Sequence, residues 1–440
     1  MTYKETTEYL FTSAPLFQNI GKDAYKEGLY NTEMLDEHFG HPHRLYKTIH
    51  IAGTNGKGSC SHTLASILQQ AGYRVGLFTS PHLIDFRERI RVNGEMIPEQ
   101  YVVDFVAKHR SFFEPLHPSF FELTTAMALR YFADEHVDIA VIEVGLGGRL
   151  DCTNIISPLI SLITNISFDH VNFLGNTLAK IAGEKAGIIK SDTPVVIGEV
   201  VDETRPVFSA KAKDMNAPIH FAEEEQEIVS YEYNMTGGID YMTKTYGSFY
   251  SELGGTCQIK NTNTILCAVK YLNPLLNNQL TEDDIRKGFM YVCENTGLMG
   301  RWQELDSHPY TICDTGHNVG CFQHIVKQMD WVMRHRCSKG KMRVVLGMVN
   351  DKDINGVLSM LPKNAVYYFT QASVKRAMPY SDIQALAARH ELAGNAYPTV
   401  AEAYCKARED AAENDFIYVG GSSFVVADLL SSFRNGQDNS

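Results

Sequence analysis

No run of about 18 apolar residues occurs in the chain, so the sequence predicts no membrane-spanning helix. The opening residues, Met1-Thr2-Tyr3-Lys4-Glu5-Thr6, lack the basic-then-apolar pattern of a secretory signal, and a cytoplasmic location is expected. Basic residues are outnumbered: 40 Lys and Arg against 52 Asp and Glu leave a net charge of −12. Such a balance offers no basic footprint for a phosphate backbone, so nucleic acid is not an expected partner. A small phosphate ligand stays open, because local geometry rather than net charge holds it. Nine cysteines are present, but none as a CxxC pair. An odd, scattered set fits reduced, mostly buried thiols in a reducing compartment. Internal repeats and low-complexity tracts are missing as well.

What the sequence does have is an ordinary globular composition, 44% hydrophobic and 21% charged, spread over 440 residues. That length exceeds one ordinary core and predicts two or three domains. From Lys47 onward, short apolar runs alternate with amphipathic stretches. Strands are predicted over 47–52, 75–78, 137–144 and 159–164, and helices over 59–71, 122–136 and 177–190. This alternation predicts an α/β fold with a mostly parallel sheet covered by helices on both faces. Residues 220–256 are polar and rich in Tyr and Gly, which reads as a small antiparallel addition. The pattern breaks near Asn295-Thr296-Gly297 and restarts with strands around 310–314, 342–346, 365–370 and 416–419. A large domain over 1–298 and a smaller Rossmann-like domain over 299–440 are therefore expected.

The strongest local signal is His50-Ile51-Ala52-Gly53-Thr54-Asn55-Gly56-Lys57-Gly58-Ser59, set between a predicted strand and a predicted helix. There, backbone N–H groups at a helix N-terminus can cradle phosphates, glycines permit close approach, and Lys57 supplies a charge for the terminal phosphates. The commonest phosphate loop puts Ser or Thr directly after the lysine; here Gly58 intervenes.

That variant resembles the phosphate loop of the Mur-ligase superfamily, and specifically of the folylpolyglutamate synthase/dihydrofolate synthase family. Six further segments resemble the family in order, over about residues 20–430: Thr79-Ser80-Pro81-His82-Leu83, the run from Glu143 to Asp151, Asp169-His170, Glu184-Lys185-Ala186-Gly187, Gly300-Arg301 and Asp314-Thr315-Gly316-His317-Asn318. The resemblance implies an ATP- and Mg²⁺-dependent ligase, a monomer, that adds L-glutamate to dihydropteroate and to reduced folates through an acyl phosphate. It implies that Asn55, Gly56, Lys57, Gly58, Ser59, Asn261, Arg301 and Asp314 bind ATP. Ser80, Glu143 and His170 become magnesium ligands, and Lys57, His170 and Lys185 the catalytic set. Lys185 is expected as N6-carboxylysine, although on its own it reads as a solvent-facing helix lysine. Ser119, Phe120, Phe121, Glu122, Leu150, Asp151 and Cys152 are expected at the pterin acid.

Two departures concern the nucleotide side. The family has a His-Gln pair where this chain has Cys257-Gln258, and Asp-Gly-Ala-His-Asn where it has Asp314-Thr315-Gly316-His317-Asn318. Two other readings compete. A Mur-type ligase of peptidoglycan precursors is expected to carry an additional N-terminal domain, whereas the first strand here is predicted at Lys47. A nucleotide-driven switch without bond-forming chemistry would not need the Arg301 and Asp314 segments.

Overall fold

The computed structural model describes residues 1–13 and 28–437. The stretch 20–27, where the family resemblance begins, and residues 438–440 of the expected second domain lie outside them. The chain divides into two compact units. One comprises Met1–Glu232, Asp240–Glu252 and Ile259–Leu298; the other comprises Tyr233–Ile239, Leu253–Gln258 and Met299–Ser440.

The first unit is built on an eight-stranded sheet. Its strands are β1 (Lys47–Ala52), β2 (Val75–Phe78), β3 (Ile90–Val92), β4 (Glu95–Met96), β5 (Ile139–Glu143), β6 (Ile160–Ile163), β7 (Val195–Ile197) and β8 (Ile219–Phe221). Their order is β4-β3-β2-β5-β1-β6-β7-β8. From β2 to β8 all neighbours are parallel, and β3 and β4 add an antiparallel edge. β1 sits centrally between β5 and β6, and every residue after Lys47 in it is buried. Ile49, Ile51 and Ala52 are core and the alternating Thr48 and His50 are buried too, so the strand is covered on both faces, and His50 Nε2 meets Thr153 Oγ1 at 2.8 Å. Strands β9 (Ile228–Tyr233), β10 (Ile239–Thr243) and β11 (Ser248–Ser251) form the separate three-stranded sheet that the Tyr- and Gly-rich stretch predicted.

The second unit holds β12 (Gln303–Ser307), β13 (Tyr310–Asp314), β14 (Met342–Leu346), β15 (Val366–Phe369), β16 (Gly394–Ala396) and β17 (Phe416–Gly420), ordered β12-β13-β17-β14-β15-β16. Only the β12–β13 pair is antiparallel. The mostly parallel α/β architecture expected from the sequence is the one observed.

Three helices differ in their limits from expectation, and the main shift in each has a local reason. The helix after β1 runs Lys57–Gln70 and starts two residues early, because Gly56 takes a left-handed cap (φ 84°) just ahead of the lysine. The helix expected from Glu122 spans Phe120–Asp134: Ser119 and Glu122 close a reciprocal capping box that fixes its start. The helix expected to reach Lys190 spans Leu178–Lys185 and then tightens into a 3₁₀ turn over Ala186–Ile188. That turn carries Ile188 and Ile189 into the core beside Ala182, Val195 and Phe208.

Candidate active site

In open parallel sheets, ligands collect beyond the carboxyl ends of the strands. The loop after β1 shows how this chain prepares that edge. Gly53 has φ 148° and lies so close to Thr164 that a Cβ would stand 1.8 Å from the threonine Oγ1. Gly56 has φ 84°, and a Cβ there would stand 2.4 Å from Oδ1 of Asn261. Both positions therefore demand glycine, for conformation and for room. The loop is fastened from the next strand onward: Thr54 N donates to Asn165 O (3.0 Å), Asn55 N to Asn165 Oδ1 (3.0 Å), and Thr164 Oγ1 to Asn55 O (2.6 Å). Asn55 Nδ2 also donates to Ser167 Oγ at 3.2 Å.

Lys57 is the first residue of the helix, with Gly58 and Ser59 behind it. Its ammonium donates to the carbonyls of Gly53 (3.1 Å) and Thr54 (3.2 Å). Lys185 reaches the same place from another helix: its Nζ donates to Gly53 O at 2.9 Å. Its residue exposure is 4%, so the solvent-facing reading of that lysine is replaced by a buried one. Burial lowers its pKa to about 7, the neighbouring Lys57 charge acts in the same direction, and Asp169 and Asp151 oppose it. Two lysines share one carbonyl in a buried place. Such an arrangement favours either a bound anion or a neutral amine.

Glu143 ends β5 with 3% exposure, and its Oε2 accepts the backbone N–H of Ser80 at 3.1 Å, which puts the serine and the carboxylate side by side. A serine hydroxyl and a carboxylate are hard oxygen donors of the kind Mg²⁺ takes, so this pair fits the ion the sequence implied. His170 stands in a left-handed turn (φ 50°); its backbone N–H donates to Asp169 Oδ1 at 2.8 Å, and its Nε2 lies 3.9 Å from the same oxygen. The next-door Phe168 is 55% exposed.

The expected pterin residues divide by surroundings. Phe120 is core, with its ring 5.4 Å from Phe11 and 5.8 Å from Phe86, whereas the partly buried Phe121 leans on Phe78 at 5.7 Å. Ser119 and Glu122 are engaged in the helix cap, where Glu122 N donates to Ser119 Oγ at 3.2 Å. Asp151 is buried and accepts from Thr153 N (3.0 Å), Thr153 Oγ1 (2.5 Å) and Leu146 N (2.8 Å), so its carboxylate holds the Gly147-Gly148 turn together. Burial raises its pKa against those hydrogen bonds. Leu150 and Cys152 flank it, half-buried, and burial pushes the Cys152 thiol well up.

One group beside Glu143 was not anticipated. Arg89 is 3% exposed, stands 5.2 Å over the Phe120 ring, and donates from Nε to His82 Nδ1 at 2.7 Å. Desolvation lowers its pKa to about 10 while Glu143 and Glu88 favour its charge. His82 is held neutral, at about 3, by burial and by the arginine. The run Arg87-Glu88-Arg89-Ile90-Arg91 reads as a solvated edge; the only sequence hint was its place just before the Asn93-Gly94 turn.

In the second unit, Asp314 ends β13 and accepts Gly316 N at 2.7 Å and Trp302 N at 2.8 Å. Burial raises its pKa; those two N–H groups and the Arg301 charge oppose the rise. Arg301 bonds the hydroxyl of Thr315 and the carbonyl of Gly300. The family departure at Thr315 thus supplies the arginine with a fixed acceptor. At the other departure, burial raises the Cys257 thiol, with Asp314 adding to the effect.

With this geometry in hand, the comparisons are specific. Residues 51–269 match the Mur ligase middle domain, and residues 300–423 match the Mur ligase, glutamate ligase domain. The chain is 31% identical over 425 residues to a dihydrofolate synthase/folylpolyglutamate synthase of Bacillus subtilis, covering 94% of this chain and 96% of the relative. It is 32% identical over 380 residues to the enzyme of that name from Escherichia coli, covering 86% and 85%. Among solved structures, Escherichia coli FolC in complex with DHPP and ADP superposes with a TM-score of 0.82 at 28% identity, covering 99% of both chains. A Yersinia pestis bifunctional folylpolyglutamate synthase/dihydrofolate synthase with Mn, AMPPNP and L-glutamate bound gives 0.79 at 27% identity, covering 99% of this chain and 98% of that one.

Proposed function

The chain belongs to the dihydrofolate synthase/folylpolyglutamate synthase family of Mur ligases, and on that premise we propose how its residues join L-glutamate to dihydropteroate and to reduced folates at the cost of ATP. The observation that carries the reading is the convergence of Lys57 and Lys185 on the carbonyl of Gly53, in a glycine loop at a helix N-terminus. A triphosphate seated there meets N–H groups, the positive end of the helix and the Lys57 ammonium at once. Asn55, Gly56, Gly58, Ser59 and Asn261 line the same turn, and Arg301 and Asp314 are read as nucleotide residues from their own unit.

The reaction activates a carboxylate. The acceptor's carboxylate oxygen attacks the γ-phosphorus of ATP, the bond to the bridging oxygen breaks, and ADP leaves. The glutamate amine then attacks the acyl carbon of the acyl phosphate, phosphate departs with the electron pair of the C–O bond, and the amine nitrogen gives up one proton to solvent. Lys57 follows the negative charge as it builds on the phosphoryl oxygens, acting as a positioned charge. Mg²⁺, for which Ser80, Glu143 and His170 are the proposed ligands, would neutralise phosphate charge when bound.

Lys185 is proposed as N6-carboxylysine. An amine with a pKa of about 7 is substantially neutral near neutrality, and only the neutral amine adds to CO₂, forming the N–C bond and releasing one proton. The resulting carboxylate stands beside Lys57, which removes the repulsion between two ammonium groups. Ser119, Phe120, Phe121, Glu122, Leu150, Asp151 and Cys152 are proposed to bound the pterin acid. In that role Phe120 and Asp151 act by shaping the wall, since their own contacts are internal.

Action on small molecules rather than nucleic acid agrees with the net charge of −12. Cytoplasmic operation agrees with nine free cysteines, and monomeric action follows the family. No described helix is long and apolar enough to cross a membrane. The test is ADP production by purified protein with Mg²⁺, glutamate and each pterin acid in turn. A ligase makes ADP beyond one equivalent per enzyme only when glutamate and an acceptor are both present, with mass spectrometry showing the acceptor heavier by one glutamyl unit. ADP release independent of glutamate would support the switch and overturn this proposal.

A further inference from the structure

Ahead of β1, and independent of the phosphate loop, three side chains converge in a way the ligase reaction does not use. Asp36 lies in the last turn of the helix Tyr30–His38; His41 follows in a left-handed turn, and His43 sits in the 3₁₀ turn Pro42–Arg44. Nδ1 of His41 is 2.6 Å from Asp36 Oδ2, and Nε2 of His43 is 3.3 Å from that same oxygen. The three donor atoms all lie within 4.8 Å of one another.

The Asp36 side chain is only 9% exposed, and its second oxygen, Oδ1, is shut off from solvent with no hydrogen-bond partner among the described residues. Two imidazoles serving a carboxylate through hydrogen bonds alone would do better divided between its oxygens, since a buried acceptor left unsatisfied forfeits its solvation without return. Here both nitrogens aim at one oxygen and the other is orphaned. A cation held by the two nitrogens and the carboxylate relieves that.

We propose that Asp36, His41 and His43 form a site for a divalent transition cation of the zinc type. Two imidazoles and one carboxylate are the ligand set zinc takes, whereas magnesium prefers oxygen throughout. The ion ties the end of one helix to the turn that leads into β1, the strand whose far end carries Gly53. Its role is to fix that lead-in, so binding raises the stability of the folded chain.

The experiment uses the full chain, stripped with chelator and then saturated with Mg²⁺ to fill sites that prefer hard ligands. Co²⁺ is titrated in as a visible probe, followed by Zn²⁺ in competition. One equivalent of Co²⁺ should bind with ligand-field bands of mixed nitrogen and oxygen ligation, Zn²⁺ should displace it, and the thermal midpoint should rise. His41→Asn and His43→Asn should each weaken binding by at least about tenfold. His43 is buried, so should that variant fail to fold, the half-buried His41 carries the test alone. No binding above the Mg²⁺ background, or unchanged affinity in His41→Asn, overturns the site. Neither result bears on the ligase reading, which is followed separately through ADP.

Discussion

Replacing Lys185 by Met tests the most unusual electrostatic feature of the chain. The lysine pKa falls from 10.5 to about 7 on folding, a displacement worth about 5 kcal/mol against the ammonium form. The sign follows from proton counting. Below pH 7 both folded and unfolded chains carry the proton, so the full burial penalty is present. Between pH 7 and 10.5 the unfolded chain holds a proton the folded chain has shed, and stability rises with pH by about 1.4 kcal/mol per unit. Met removes the penalty and also the hydrogen bond to Gly53, a loss of about 1–3 kcal/mol for a charged donor. In CO₂-free buffer the variant should therefore be the more stable protein at pH 6, by about 2–4 kcal/mol, and should lose that advantage steadily toward pH 9 or 10. Urea unfolding of both proteins across this range, followed by circular dichroism, measures the difference. A difference that does not vary with pH would refute the argument, because it would mean that the Lys185 ammonium is paired and not desolvated. The same neutral amine underlies the proposed carbamate: wild type supplied with ¹³C-bicarbonate should show a carbamate resonance that Lys185→Met lacks.

Other perturbations have equally direct readouts. Lys57→Ala should lower kcat about 100- to 1,000-fold, the scale of removing one positioned charge from a transition state, while circular dichroism and thermal melting stay close to wild type. Gly56→Ala would put a Cβ 2.4 Å from Asn261 Oδ1 at φ 84°, so the loop must shift; the KM for ATP should rise at least tenfold, roughly the 1–2 kcal/mol of a left-handed non-glycine residue. Unaltered nucleotide affinity there would separate the loop from the triphosphate. Ser119→Ala opens the capping box of the helix Phe120–Asp134 and should cost about 1 kcal/mol in denaturant unfolding.

The fold was largely legible because its signals are local. A short stretch rich in β-branched residues, a glycine turn and a helix-forming segment specify a strand–loop–helix unit without reference to distant residues, and β1 with its helix follows that plan. Repeating the unit predicts a parallel sheet. Two helix starts were legible to within a turn, and both errors came from a cap: Gly56 and Ser119 act through φ and through a side-chain bond, which apolar periodicity does not register. The early end of the helix Leu178–Lys185 came from packing, since Ile188 and Ile189 must reach the core.

The site was legible where a residue's identity reveals its task and obscure where its surroundings do. Glycines at Gly53 and Gly56 announce a loop that tolerates no Cβ, and Lys57 announces a charge. Lys185 announces nothing: a lysine near the end of a helix is by default solvated, and what sets it apart is 4% exposure next to a second lysine. Arg89 is hidden for the same reason, since an Arg-Glu-Arg run looks like a surface and is buried because the nearby His82 and the distant Phe120 and Glu143 close around it. Asp151 and Asp314 are obscure in another way. Both look like ligand carboxylates, yet backbone N–H groups at 2.7–3.0 Å already engage them. A buried carboxylate is costly unless its lone pairs are met, so in both turns the chain meets them internally and holds the neighbouring backbone rigid as a consequence. Turn geometry, more than free charge, is then the quantity that substitution at Asp151 or Asp314 would change.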